Sequence, residues 1–215
     1  MPTPETYGCF NNTITENTAN NNGMYGIHLY RFVSGNLINN TANNNVRGIY
    51  HEGYPTIISG NTVNYNYIGL SLLGPGSNSE ISRNIAIGNR DIGIEINAFG
   101  FNLTENFMVG SGITLGSIDR TNHIDTTNLV NNKPIYYLIN KTYPSPHILE
   151  DAGQIILINC TNILVKDVDV SYSSMGICIY NSNNITVLNV ASSNNDYGVY
   201  LQNTNNSLII SSSLK

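Results

Sequence analysis

Gly69-Leu70-Ser71-Leu72 and Gly93-Ile94-Glu95-Ile96 are two copies of one short strand, in which apolar and polar residues alternate behind a glycine. Further copies stand at Gly26-Ile27-His28-Leu29, Gly112-Ile113-Thr114-Leu115, Gly176-Ile177-Cys178-Ile179 and Gly198-Val199-Tyr200-Leu201. Gly48-Ile49-Tyr50-His51 belongs to the series but puts His51 where the others place an apolar residue. The glycines are separated by 22, 21, 24 and 19 residues and, after one long gap, by 22 again. Alternation with period two is the mark of a strand with one buried face. Four or five residues bury too little area to be stable alone, so successive copies must stack.

A second column keeps phase with the first. Asn17, Asn36, Asn61, Asn84, Asn106 and Asn189 each follow a short β-rich stretch, with Asp167 in the equivalent place, and in most coils the glycine follows eight or nine residues later. Composition bias can produce one such column; two in register imply a repeat. The predicted architecture is an all-β, right-handed parallel β-helix, a solenoid of about nine coils of roughly 22 residues. Parallel strands stack about 4.8 Å apart, so the coils would make a rod roughly 45 Å long. The asparagines would form a ladder at one turn, each amide serving the next. Glycine before the strand suits a corner that needs positive φ or close backbone approach.

The pattern breaks between Gly116 and Gly153. A polar run from Asp119 to Asp125 and a turn at Asn131-Asn132-Lys133-Pro134 precede a strong strand, Ile135-Tyr136-Tyr137-Leu138-Ile139. Residues 117–152 are therefore read as an enlarged coil with an excursion, within one β-helix domain spanning 1–215 and cut from a longer protein. No capping helix is visible at either end, so further coils or a partner are expected to cover the open ends.

Composition limits the partners. A net charge of −5 with nine scattered Lys and Arg excludes a nucleic-acid surface. No apolar run is long enough to span a membrane, and residues 1–5 carry no signal-peptide pattern. Cys9, Cys160 and Cys178 form no C-x-x-C pair. Seven Asn-x-Ser/Thr sequons, at Asn11, Asn39, Asn102, Asn140, Asn159, Asn184 and Asn205, are compatible with a secreted chain but follow equally from its Asn, Ser and Thr content.

Ile57-Ile58-Ser59-Gly60-Asn61-Thr62-Val63 and Asn183-Asn184-Ile185-Thr186-Val187 resemble the repeat of the NosD-type, or carbohydrate-binding and sugar-hydrolase (CASH), β-helix proteins. Asn132-Lys133-Pro134-Ile135-Tyr136-Tyr137-Leu138, with the run from Asp151 to Cys160, resembles a segment in NosD-like repeats of archaeal cell-surface proteins. The resemblance implies a pectin lyase-like fold in an extracellular, cell-surface or periplasmic setting. Three roles are compatible with it, namely polysaccharide chemistry, accessory work in copper-site maturation, and surface display. Fold alone does not choose among them.

The outward column of the glycine strands holds His28, Tyr50, Ser71, Glu95, Thr114, Cys178 and Tyr200. Glycoside hydrolysis needs two carboxyls about 5 to 9.5 Å apart. Glu95 is the column's one carboxylate, and Asp91, four residues earlier, is its candidate partner around the corner. A lyase would need a carboxylate cluster for Ca²⁺ and a base; Asp167 and Asp169 share a face, but Asp167 falls in the ladder column. Copper would need converging soft or imidazole ligands, whereas His28, His51, His123 and His147 are dispersed. No metal or other cofactor is expected. Tyrosines crowd the early coils, and exposed rings beside amides can stack on sugars. The expected function is a non-catalytic extracytoplasmic scaffold with weak contacts to polysaccharide or cell-surface glycan through His28, Tyr50, Glu95 and Tyr200. The alternatives are a hydrolase or lyase at Glu95 and Asp91, and a copper-maturation accessory protein.

Overall fold

The structure, a computed structural model, describes residues 8–54, 56–76, 79–118 and 122–215. Residues 1–5 and the start of the polar run, 119–121, lie outside that set. The described residues form strands and no helix, in a right-handed parallel β-solenoid of about nine turns. The first sheet stacks Cys9–Phe10, Tyr25–Val33, Arg47–Gly53, Ile68–Leu73, Ile92–Ile96 and Ile113–Leu115. The second stacks Thr13–Thr15, Asn36–Ile38, Ile57–Ser59, Ser79–Ser82, Phe101–Thr104 and His123–Ile124. A third contains Ile85–Ile87, Phe107–Val109 and Leu129–Val130, prolonged by single bridges through Thr62, Thr41 and Thr18. All pairings within these sets are parallel.

Period-two patterning places the core. Leu37, Ile58, Ile81 and Leu103 face inward at one register level of the second sheet, and Ile49, Leu70, Ile94 and Ile113 at one level of the first. His51 sits inside, between Leu29 and Leu72. Its Nε2 lies 3.2 Å from Thr56 Oγ1, and burial pulls its pKa down to about 4, so the ring is held neutral. The glycines serve close approach. A Cβ on Gly69 would stand 2.6 Å from the carbonyl oxygen of Gly93 and 2.8 Å from Asn89 Nδ2.

The inner turn is a hydrogen-bonded ladder of Asn17, Asn40, Asn61, Asn84, Asn106 and Asn128. From Asn17 to Asn106 each backbone N–H donates to the side-chain oxygen one coil on, at 2.9 to 3.2 Å. Each Nδ2 donates to the same oxygen or to strand carbonyls, as Asn84 does to Asn106 Oδ1 and to Ile58 O at 2.9 Å. The ladder thus runs through Asn40, not Asn36, which is a strand residue paired with Thr13 and Ile57. The spacing carries the reason: Asn40 precedes Gly48 by eight residues, whereas Asn36 precedes it by twelve. Asp167 and Asn189 are corrected too. They form a separate exposed pair, Asn189 Nδ2 donating to Asp167 Oδ1 at 2.7 Å, both with left-handed backbone. In the later coils the inner place falls to Val168 and Val190, and the Val190 N–H donates to Ser212 Oγ at 3.2 Å.

After Leu129–Val130 the chain reverses. Asn131 and Asn132 have φ of 51° and 65°, the two left-handed residues of a tight hairpin, and Lys133–Ile139 returns antiparallel to Leu129–Val130. A second stack then builds from Lys133–Ile139, Gln154–Ile158, Met175–Tyr180 and Tyr197–Gln202 on one side. Thr142–Leu149, Thr161–Lys166, Asn183–Leu188 and Leu208–Ile210 make the other. Residues 117–152 thus hold the last strands of the first stack, the hairpin and the first strands of the second.

The second stack turns its outer face toward the end of the first. Ile135 is part of the first core and Tyr137 packs against it, while Ile156, Ile158, Cys178 and Tyr180 cluster with Leu115 and Ile118. The Gln154 amide closes the edge of Ile113–Leu115, accepting from Ile113 N at 2.9 Å and donating to Ile113 O at 2.7 Å. Ser174 Oγ accepts from Gly112 N and donates to the Asp91 carbonyl at 2.6 Å. The coils therefore do not form one continuous rod, because the hairpin reverses the strands and the second stack covers the first.

Candidate functional site

The outward column of the first stack runs His28, Tyr50, Ser71, Glu95 and Thr114 in direct register. Parallel strands without slippage put identical coil positions side by side, which is how one strand pattern becomes a continuous strip, with Ser71 buried at its middle. Cys178 and Tyr200 are not in this strip. They belong to the second stack, in register with Tyr137 and Ile156. Cys178 is buried there and its thiol is pushed up to about 12 by that burial, which makes it inert. Tyr200 instead joins Tyr180 and Tyr197, with ring centroids 5.5 and 5.3 Å away.

Two features dominate the strip. At one end Tyr25, His28 and Tyr50 pack ring against ring, with centroids 4.7 to 5.0 Å apart, and Tyr30 extends the group beyond His28. In the middle lies a charged knot. Ser71 Oγ donates to Glu95 Oε2 at 2.6 Å and accepts from Arg47 Nε at 3.1 Å, and the Arg47 guanidinium is 3.9 Å from the Glu95 carboxylate. Arg47 also lies 5.5 Å from the Tyr50 ring centroid, which joins the knot to the aromatic shelf. Burial, with Glu52 adding to it, raises the Tyr50 phenol, so that hydroxyl remains a donor at neutral pH.

Asp91 engages other partners. It lies beside the Tyr67 phenol, which its charge raises, and beside Asp196, whose carboxyl is pushed upward by burial and by the Asp91 charge. Glu95 is tied to Arg47 and Ser71, and Asp91 to Tyr67 and Asp196. The close carboxyl pair is thus Asp91 with Asp196, and it had no signal in the sequence. The two are 105 residues apart (196 minus 91) and meet only because the second stack packs against the first. Sequence reasoning misses Arg47, though a signal exists: it stands three residues before Tyr50, as Tyr25, one of the crowded early tyrosines, stands before His28.

His123 and His147 lie in different sheets, paired beside Asn102 and Ile163. The His147 ring stacks on Tyr143 at 4.2 Å. Among the described residues no three His, Cys, Asp or Glu side chains gather into a metal-binding group. No described helix is long and apolar enough to cross a membrane.

Residues 6–98 match the model of a family described as periplasmic copper-binding protein (NosD). The match falls on the first stack, including the aromatic shelf and the Arg47–Ser71–Glu95 knot, and leaves out the hairpin and the second stack. No curated protein and no solved structure matches the chain.

Proposed function

We propose that this chain is a non-catalytic, extracytoplasmic β-helix scaffold whose aromatic shelf makes weak contacts with glycan. The carrying observation is the state of Glu95. Its carboxylate is neutralised by Arg47 and held by Ser71, an arrangement that fixes a surface and leaves no second carboxyl of the strip to act with it. Tyr25, His28, Tyr30 and Tyr50 beside it offer ring faces and polar edges, which is what stacking on a sugar and bonding its hydroxyls requires. The match to a periplasmic family supports the extracytoplasmic setting. Polysaccharide panels, neutral and uronic, with and without Ca²⁺, test the reading. Saturable binding without cleavage, weakened in Tyr50→Ala, is the expected result. Turnover that vanishes in Glu95→Gln or Asp91→Asn would replace the scaffold with a hydrolase or lyase.

A copper-maturation role is the second reading, and the family match favours it. The side chains of the matched segment do not fit a copper centre. His51 is buried with its Nε2 on Thr56, and no described group of donors surrounds His28 or Cys9. Copper titration followed by His28 and His51 resonances tests it; stoichiometric perturbation of His28 would restore the copper role.

A further inference from the structure

We infer a binding site for a short uncharged peptide in the cleft between the two stacks, where the free edge of Ile113–Leu115 faces Tyr180, Tyr200 and Gln202. The peptide lies against that edge as one more strand of the first sheet. The cleft holds about 300 Å³, with residues 115–118 on one side and the three second-stack side chains on the other. That is the small end of ligand sites and admits roughly two residues of extended chain. The cleft is separate from the aromatic shelf, and the inference does not rest on the glycan-binding reading.

The edge itself is the first observation. Ile113–Leu115 ends the order of the first sheet, paired with Ile92–Ile96 on one side and, among the described residues, with no strand on the other. In a parallel pair, alternate residues of a strand turn their backbone groups to the same neighbour. Gly116 N–H donates to Ile96 O at 2.8 Å, toward the sheet, so Ile113 and Leu115 point theirs outward. The second observation is the group already bound at that edge. The Gln154 side chain is a primary amide, and it accepts from Ile113 N at 2.9 Å and donates to Ile113 O at 2.7 Å. These are the acceptor and the donor that an added strand would bring to one residue. Gln154 satisfies Ile113 alone; Leu115, next on the same side, lines the cleft.

The walls set the ligand class. Among the described residues no charged side chain lines the cleft, so a charged ligand gains no partner there. Tyr180 and Tyr200 stand with ring centroids 5.5 Å apart and form an aromatic wall for an apolar side chain. Burial pushes the Tyr180 phenol up, so it stays a neutral donor. Gln202 Oε1 accepts from the Tyr200 hydroxyl at 3.2 Å, leaving the NH₂ of that amide to donate to a carbonyl. One wall thus offers a backbone N–H and C=O, and the other offers rings and an amide donor. A peptide meets both at once, its backbone on the edge and a side chain on the rings.

Nuclear magnetic resonance of the intact, isotope-labelled chain tests the assignment, with acetyl-Thr-Val-Thr-amide as the probe. Saturable shifts of the Leu115 N–H are expected, with the Tyr50 N–H unmoved. The same probe methylated on all its backbone nitrogens cannot donate to the edge and should bind about tenfold more weakly. Tyr200→Ala, or Gln202→Ala if the first variant does not fold, should weaken binding by a similar factor, and Tyr50→Ala should leave it unchanged. Equal binding of the methylated probe overturns the edge contact. Galacturonate oligomers that shift the Leu115 resonance as strongly overturn the peptide class. Leu115 shifts that grow with protein concentration alone give the edge to a second copy and overturn the free-peptide ligand. No saturable shift at Leu115 removes the site and leaves the scaffold reading standing, since that reading is carried by Tyr50 and its neighbours.

Discussion

Asn84 sits in the middle of the inner ladder with its amide and backbone N–H both committed to neighbours. Replacing it with Leu strands the N–H of Asn61 and takes the amide donor from the Ile58 carbonyl in a dry turn, and should cost about 1–3 kcal/mol. Asn36→Ser removes no ladder contact and should stay within about 0.5 kcal/mol, as surface changes do. Urea denaturation of the two variants side by side separates them; equal midpoints would show the ladder to be solvated. His51 gives a pH signature at the same scale. Its folded pKa of about 4 lies below the unfolded 6.5, so the unfolded chain binds more protons between those values. Stability is therefore complete above pH 6.5 and falls as pH drops toward 4, by no more than about 3 kcal/mol. His51→Leu, between Leu29 and Leu72, should flatten that slope, and Thr56 Oγ1 keeps its bond to Tyr54 O. A slope unchanged in the variant would place the titration elsewhere.

At the scale of the element, each coil is held by its contact with the next one, and the glycine strands meet most tightly. Gly69→Ala would drive a methyl into the Gly93 carbonyl and the Asn89 amide, both fixed by the stack. Overpacking of that kind costs about 1–3 kcal/mol, and thermal unfolding of the variant measures it. An unchanged midpoint would mean that the strands separate freely at this corner. The strand pattern was legible because alternation needs only local information: Ile94 in and Glu95 out follow from period two. The ladder was only partly legible. Asn is so common here that several residues of one coil compete for the turn, and Asn40 is distinguished from Asn36 by spacing alone.

At the scale of the molecule, the second stack closes over the first. In a free-standing rod Ile156 would be an outward, exposed residue, and trimming it would change little. Here it is buried in the cluster with Leu115 and Ile118, so Ile156→Ala should cost about 2–5 kcal/mol. Denaturant unfolding decides between the two, and a cost near zero would separate the stacks. The same packing turns Cys178 from an outward strip residue into a buried thiol and brings Asp196 against Asp91.

By itself the sequence determined the coil: its length, its strand alternation, its inward residues, and the strip of His28, Tyr50, Ser71, Glu95 and Thr114. Those features repeat every 22 residues or so, and stacking copies them in register without reference to anything distant. Only the tertiary structure decided the reversal at Asn131-Asn132, the sealed end of the first core, and the partners of Asp91. The reason is physical. A hairpin turn reads alike in sequence whether it decorates a rod or turns it back. An outward apolar residue shows its purpose only when the surface that covers it is in place.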